Sequence, residues 1–188
     1  MPARICRSAA LLTLGLLPAC GGDGTSPDES PASIRLVPTL DTLTWIGQTL
    51  TIQGTALSAS GLDLGLPLTW ASSDTTVATV SATGTVTAVS SGATAVTASV
   101  GTVSATAVIV VRQEAVELTA ISGDAQTAEA GQTLPLNPVV RADDQGGTPV
   151  EGALVTWIPA PGSGTASPGA SATDAGGLAN TTWTLGEL

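Results

Sequence analysis

The residues of this chain that could undergo covalent chemistry lie near its N-terminus, around Cys20. The cations Arg4 and Arg7 are followed by an uncharged apolar run over residues 9–17, and small residues come directly before the cysteine. A basic segment, a short apolar segment and small residues in this order are typical of a secretory signal peptide. The run is too short to span a bilayer as a helix. The pattern therefore predicts export and removal of the leader.

The string Leu17-Pro18-Ala19-Cys20 resembles the lipobox of bacterial lipoproteins. This resemblance implies that residues 1–19 are cleaved off, that Cys20 becomes the new N-terminus, and that it carries fatty acids such as palmitate. The membrane would then be a partner through this lipid. Because Gly21 follows the cysteine and no Asp is adjacent, the resemblance implies delivery to the outer membrane or cell surface. The alternative is an ordinary signal peptide followed by a chance cysteine.

The composition of the exported part excludes several classes of function. Residues 20–188 retain three Arg against fifteen Asp and Glu, a net charge of −12, so no basic surface is available for nucleic acid. The chain has no Lys, His, Tyr or Phe, and Cys20 would be its sole cysteine after export, so no disulfide can form within it. With the usual bases and nucleophiles missing, we expect no catalytic residues, no enzyme activity and no cofactor.

Residues 20–32 form a polar segment without apolar periodicity, and we expect a flexible tether there. The remainder is rich in Thr and Val and has no helical apolar pattern, which predicts an all-β fold. Gly84 and Gly101 are predicted to occupy hairpin turns. Strands are predicted near residues 33–37, 42–45, 48–56, 67–71, 77–80, 85–89, 93–100, 103–111 and 116–121.

An internal repeat divides this β-rich part into two modules. Gly47-Gln48-Thr49-Leu50 returns as Gly131-Gln132-Thr133-Leu134, and Leu68-Thr69-Trp70 returns as Val155-Thr156-Trp157. The two landmarks keep their order and nearly their offset, which predicts two tandem β-sandwiches. Module one is residues 33–111 and module two is residues 112–188. Because only residues 112–115 separate the predicted strands of the two modules, we expect restricted bending between them.

Longer strings in each module carry a resemblance to known domains. In module one these strings are Leu68-Thr69-Trp70-Ala71-Ser72-Ser73-Asp74, Val77-Ala78-Thr79-Val80 and Gly84-Thr85-Val86-Thr87-Ala88-Val89. In module two they include Gly152–Trp157 and Thr173-Asp174-Ala175-Gly176-Gly177-Leu178-Ala179. On these strings, module one resembles group 2 of the bacterial immunoglobulin-like (Ig-like) domains, and module two resembles group 1, the kind found in invasin and intimin. The resemblance implies an Ig-like sandwich for each module and a role in adhesion or as a stalk.

Module two is shorter than module one. The distance from Gly47 to Val111, counted from Gly131, would reach position 195, beyond residue 188. We therefore expect module two to lack about one strand at its end. Three interpretations stay open: the chain is a fragment of a longer protein, a partner donates a strand, or the sandwich closes differently.

A few residues in the modules are candidates for a role in packing or binding. Trp70 and Trp157 occupy matching positions on the strand that carries the buried tryptophan of Ig-like sandwiches, so both are expected in cores. Trp45 is expected to cap one end of module one, with sugar stacking as an alternative. Asp143 and Asp144 are weak candidates for calcium ligands, because paired carboxylates beside glycines could contribute oxygens. No other metal ligands are expected, since acidic turn residues usually bond their own backbone.

Taken together, these features predict a non-catalytic, lipid-anchored protein of the cell surface. Its modules would serve as a stalk or in adhesion, with a surface glycan or protein as the ligand in the second case. The alternative is that they form the accessory, carbohydrate- or protein-binding region of a longer secreted enzyme or adhesin.

Overall fold

The computed structural model describes residues 30–187, and every regular element in that part of the chain is a β-strand. The strands of module one are β1 (Ser33–Val37), β2 (Leu40–Leu43), β3 (Thr49–Thr51), β4 (Gln53–Leu57), β5 (Thr69–Ser72), β6 (Ala78–Val80), β7 (Thr85–Ala88), β8 (Gly92–Val100) and β9 (Val103–Val111). Those of module two are β10 (Glu117–Ser122), β11 (Val139–Asp143), β12 (Leu154–Thr156), β13 (Gly164–Ser167), β14 (Ala170–Ala172), β15 (Leu178–Asn180) and β16 (Thr182–Leu185). The all-β prediction is confirmed.

Module one is an Ig-like sandwich with two layers. One layer contains the pair β1–β4 and the three strands β3–β7–β6, and the other has the order β2–β9–β8–β5. The sequence predicted a single strand over residues 48–56, but it is interrupted at Ile52 and forms the two strands β3 and β4. The N–H of Ile52 donates to the carbonyl of Gly84 (2.9 Å). All pairs are antiparallel except β2 with β9, which is parallel, with Leu40 opposite Val108 and Leu43 opposite Val111.

The core of module one is built by alternation along the strands. In β8, Val96 and Ala98 are fully buried while their neighbours are partly exposed, and Ile109 is fully buried in β9. Because successive side chains of a strand point to opposite faces, such alternation buries one face and exposes the other. The same cluster includes Leu36 and Val86, which lie in the opposite layer. Aliphatic side chains from both layers therefore fill the space between them.

The topology places the two ends of module one at opposite poles. The chain reverses in the turn after β2, and β3 and β4 then run opposite to β2. Because β1 is antiparallel to β4, β1 and β2 run in the same direction. Because β2 is also parallel to β9, both strands end at the same pole, with Leu43 beside Val111. The chain therefore enters module one at Ser33 at one pole and leaves it after Val111 at the other.

Module two repeats the first part of this arrangement. The strands β10 and β11 pair antiparallel as β1 and β4 do, and β15 pairs with β11 much as β7 pairs with β3. Its small core contains Ala142, Val150, Val155 and Ala179. The shorter length of module two predicts that it lacks about one strand. In the structure, the pairing of its described strands provides no counterpart to either β8 or β9 of module one. Several apolar side chains are accordingly more than half exposed there: Val116, Leu118, Ile121, Leu154 and Ile158.

Candidate functional site

Cys20, the predicted lipidation site, lies outside the described residues, as do the predicted leader and most of the tether. Within residues 30–187, no helix is long and apolar enough to cross a membrane. The candidate sites within residues 30–187 are the tryptophans, the pair Asp143 and Asp144, and the junction between the two modules.

The two tryptophans at matching repeat positions are both partly buried. Trp70 lies on β5 and packs against the core of module one, where its ring approaches two glycines: a Cβ on Gly54 or Gly84 would lie 3.0 or 2.9 Å from its Cζ2. Trp157 follows β12, and its Nε1–H donates to Ser171 Oγ (2.9 Å). Each ring therefore has a structural contact in its own module.

Trp45 lies at the pole of module one that faces module two. It belongs to the turn between β2 and β3, and it is partly buried. A Cβ built on Gly146 of module two would lie 2.9 Å from Trp45 Cε3 and 3.1 Å from the carbonyl oxygen of Ile46. The ring thus lies against the loop that follows β11, at the junction between the modules.

Asp144 is the centre of this junction. It follows β11, is 2% exposed, and its carboxylate accepts four hydrogen bonds. Oδ1 accepts the N–H groups of Gly146 and Thr148, both at 2.9 Å, which closes a tight loop within module two. Oδ2 accepts the N–H of Ile46 in module one (3.0 Å) and Nε2–H of Gln113 between the modules (2.9 Å). One carboxylate therefore joins both modules and the linker.

Burial raises the pKa of Asp144, but the hydrogen bonds from Ile46, Thr148, Gln113 and Gly146 outweigh it and hold the pKa below the ordinary value of 3.8. A depressed pKa in the folded protein means that ionised Asp144 stabilises the fold fully above pH 3.8, and that this stabilisation is lost as the pH falls through the lowered value. None of its four hydrogen-bond donors titrates.

We accordingly expect the difference in melting temperature between wild type and Asp144→Asn to be constant near neutral pH and to shrink in acid, below pH 3.8. Thermal unfolding followed by circular dichroism at a series of pH values measures this difference. A difference that grows on acidification would contradict the assignment of these hydrogen bonds to the ionised carboxylate.

The linker between the strands is itself hydrogen-bonded to both modules. The N–H groups of Arg112 and Glu114 donate to the carbonyls of Leu43 (2.8 Å) and Thr44 (2.9 Å) in module one. The N–H of Val116 donates to the carbonyl of Asp143 in module two (2.9 Å). The linker is thus hydrogen-bonded to module one over its first residues and to module two directly after its last. These hydrogen bonds give a physical basis for the expected restriction of bending between the modules.

Gln113 adds a side-chain contact that the sequence did not indicate. Besides Asp144, its Nε2 donates to the carbonyls of Pro149 (3.1 Å) and Thr148 (3.4 Å). A lone glutamine in a linker carries no pattern that predicts such a role. The glycine-rich loop did carry a signal, because Asp144-Gln145-Gly146-Gly147-Thr148 has the same spacing as Asp174-Ala175-Gly176-Gly177-Leu178.

The acidic pair that was the weak calcium candidate has two different environments. Asp143 is 3% exposed and forms an ion pair through Oδ2 with Nε of Arg141 (2.9 Å), while its buried Oδ1 has no hydrogen-bond partner. Asp144 has both oxygens engaged by N–H donors. Residues 30–187 contain no group of three or more His, Cys, Asp or Glu side chains that could hold a metal ion. The binding of calcium to this pair stays a prediction.

The two layers of module one form an Ig-like β-sandwich. A comparison with known families identifies which kind of Ig-like domain it is similar to. Residues 32–111 match the bacterial Ig-like domain (group 2). Module one thus matches the group 2 family that its sequence resembles, as predicted, and no catalytic family is indicated. No curated protein matches the chain.

Solved structures similar to this chain include domain pairs of an S-layer protein and of intimin, and an adhesin. Domains 5–6 of the S-layer protein SbsC are 19% identical, with 84% of this chain and 85% of that chain covered and a TM-score of 0.41. The D0–D1 domains of intimin are 21% identical, with coverages of 82% and 85% and a TM-score of 0.33. The Yersinia pseudotuberculosis adhesin InvE is 18% identical, with coverages of 80% and 51% and a TM-score of 0.37. This chain spans about a quarter of the six-domain SbsC chain, 24% of its length.

Proposed function

We propose that this chain is a non-catalytic, lipid-anchored stalk of the bacterial cell surface. The observation that supports it most strongly is the polarity of module one. The tether from Cys20 enters this module at Ser33, and module two is joined to the opposite pole, after Val111. A lipid at Cys20 would therefore be connected, through the tether, to the pole of module one opposite module two, an arrangement that suits a module projected away from the membrane.

The chemistry of the modules is consistent with a mechanical role. Residues 30–187 contain no His, Lys, Tyr or Cys, so the usual general bases and nucleophiles are missing from that part. The linker is short and hydrogen-bonded, and the carboxylate of Asp144 joins both modules. A stalk requires such a joint, because a free linker would let the outer module fold back toward the membrane.

The anchor is tested by replacing Cys20 with serine, which keeps the size of the side chain but removes the thiol that would be acylated. In a bacterium that processes lipoproteins, we expect wild-type protein in the membrane fraction with incorporated palmitate. We expect Cys20→Ser to lose the label completely and to move to the soluble or secreted fraction. Cys6→Ser is the matched control, because Cys6 lies in the predicted leader and should leave both readouts unchanged.

Retention of Cys20→Ser in the membrane fraction after a high-salt wash would refute the lipid anchor. The position of module two is tested separately, with an antibody against residues 112–188 applied to intact cells. Binding to intact cells is expected for a surface stalk. Binding only after the cells are broken would place the chain on an inward-facing membrane leaflet and contradict the proposal.

A further inference from the structure

Module two contains the same acidic loop twice, and the two copies differ in one respect. Oδ1 of Asp144 accepts the N–H groups two and four residues later, at 2.9 Å each. Oδ1 of Asp174 does the same with Gly176 (2.8 Å) and Leu178 (3.0 Å). Both aspartates thus close a local turn in the same way. Only Asp144, however, has its second oxygen hydrogen-bonded to module one and to the linker.

Gly146 and Gly176 occupy the third position of the two loops, and only Gly146 lies close to module one. A Cβ on Gly146 would lie 2.9 Å from Trp45 Cε3 and 3.1 Å from the carbonyl oxygen of Ile46, both in module one. A Cβ on Gly176 would meet only its own loop, at 3.2 Å from Asp174 Oδ1 and 3.8 Å from Leu178 Cγ. The backbone of the Asp144 loop therefore approaches module one as closely as a glycine permits.

We propose that Asp144 is a latch that fixes the orientation of module two relative to module one, so that the two modules tumble and bear force as one rigid body. The latch has two parts. The carboxylate holds the N–H of Ile46 and the amide of Gln113, and Gly146 allows the loop to contact Trp45. The inference goes beyond the stalk function and holds whether or not Cys20 is lipidated.

Replacement of Asp144 by asparagine separates the latch from the local loop. The amide of asparagine keeps one oxygen, which can still accept from Gly146 and Thr148. Its NH₂ group replaces Oδ2 and would face two donors, Ile46 N–H and Gln113 Nε2–H, which cannot bond to it. In this orientation the substitution removes the contacts across the junction while the loop within module two is retained.

The test measures residual dipolar couplings by NMR on residues 20–188 carrying Cys20→Ser. In this protein we expect one alignment tensor to fit both modules. In Asp144→Asn we expect two alignment tensors of different magnitude, one for each module, and exchange of the Ile46 amide with solvent that is about tenfold faster or more. The matched control Asp174→Asn replaces the equivalent carboxylate by an amide without touching module one, and should keep a single tensor.

A second pair of variants protects the test against a loss of folding. Gly146→Ala should separate the tensors of the two modules, whereas Gly176→Ala should not, and chemical shifts within each module report whether both still fold. A single tensor in both Asp144→Asn and Gly146→Ala would overturn the latch. Loss of the common tensor in Asp174→Asn to the same degree would overturn it as well. Neither result bears on the anchor, which is decided by the membrane fractionation of Cys20→Ser.

Discussion

Replacement of Gly84 by alanine should lower the free energy of unfolding of module one by about 3–5 kcal/mol. Gly84 has φ +80, which costs a residue with a Cβ about 1–2 kcal/mol. The added Cβ would also lie 2.6 Å from the carbonyl oxygen of Ile52 and 2.9 Å from Trp70 Cζ2. Neither the backbone of the opposite strand nor a packed indole can move without disturbing the core, so the steric overlap adds to the strain.

Gly101 provides the matched control for this substitution. It also lies in a hairpin turn with positive φ (+58), but a Cβ there would meet nothing within 4 Å. Gly101→Ala should therefore cost only the backbone strain, about 1–2 kcal/mol. Urea unfolding monitored by tryptophan fluorescence measures both values. Equal losses of stability in the two variants would show that the contact of Gly84 with Ile52 and Trp70 is unimportant.

Replacement of Ile109 by alanine should destabilise module one by about 2–5 kcal/mol. Ile109 is fully buried in the central strand β9 and belongs to the core cluster that joins the two layers. Removing three carbon atoms from a close-packed site leaves a cavity that the neighbouring strands fill only in part. The loss should appear as a lower urea midpoint with an unchanged slope of the transition.

The neighbouring residue in the same strand gives the comparison. Val108 is 45% exposed, so Val108→Ala should cost less than about 1 kcal/mol. The two β-branched residues are adjacent in one strand and occupy opposite faces, so a loss larger than the one extra carbon removed from Ile109 explains reports burial. A loss for Val108→Ala as large as that for Ile109→Ala would mean that the outer face of β9 is covered in solution.

Much of module one follows from local patterns. Alternation of Val, Ala and Thr along residues 92–111 predicted the two longest strands, because one face must be apolar for a sandwich to form. The turn at Gly84 was also predictable, since positive φ favours glycine. By contrast, the start of β2 at Leu40 and its parallel pairing with β9 depend on a partner more than sixty residues away, which no local pattern specifies.

The burial of β9 shows where a run of apolar residues is ambiguous. The segment Val108-Ile109-Val110-Val111 is apolar at every position, so its composition does not distinguish a strand covered on both faces from one with an open face. In the structure, β2 and β8 flank this strand in the plane of the sheet and leave Val108 45% exposed. In-plane pairing satisfies the backbone but does not cover the outer face.

The sequence by itself predicted the all-β fold that the structure confirms, since apolar periodicity and turn residues are local patterns. The internal repeat also predicted two related modules. The sequence also shows the shared Asp-x-Gly-Gly spacing that begins at Asp144 and at Asp174. Only the tertiary structure decided that these two loops differ. The second oxygen of Asp144 meets Ile46, 98 residues earlier, because folding brings the pole of one module against the loop of the other.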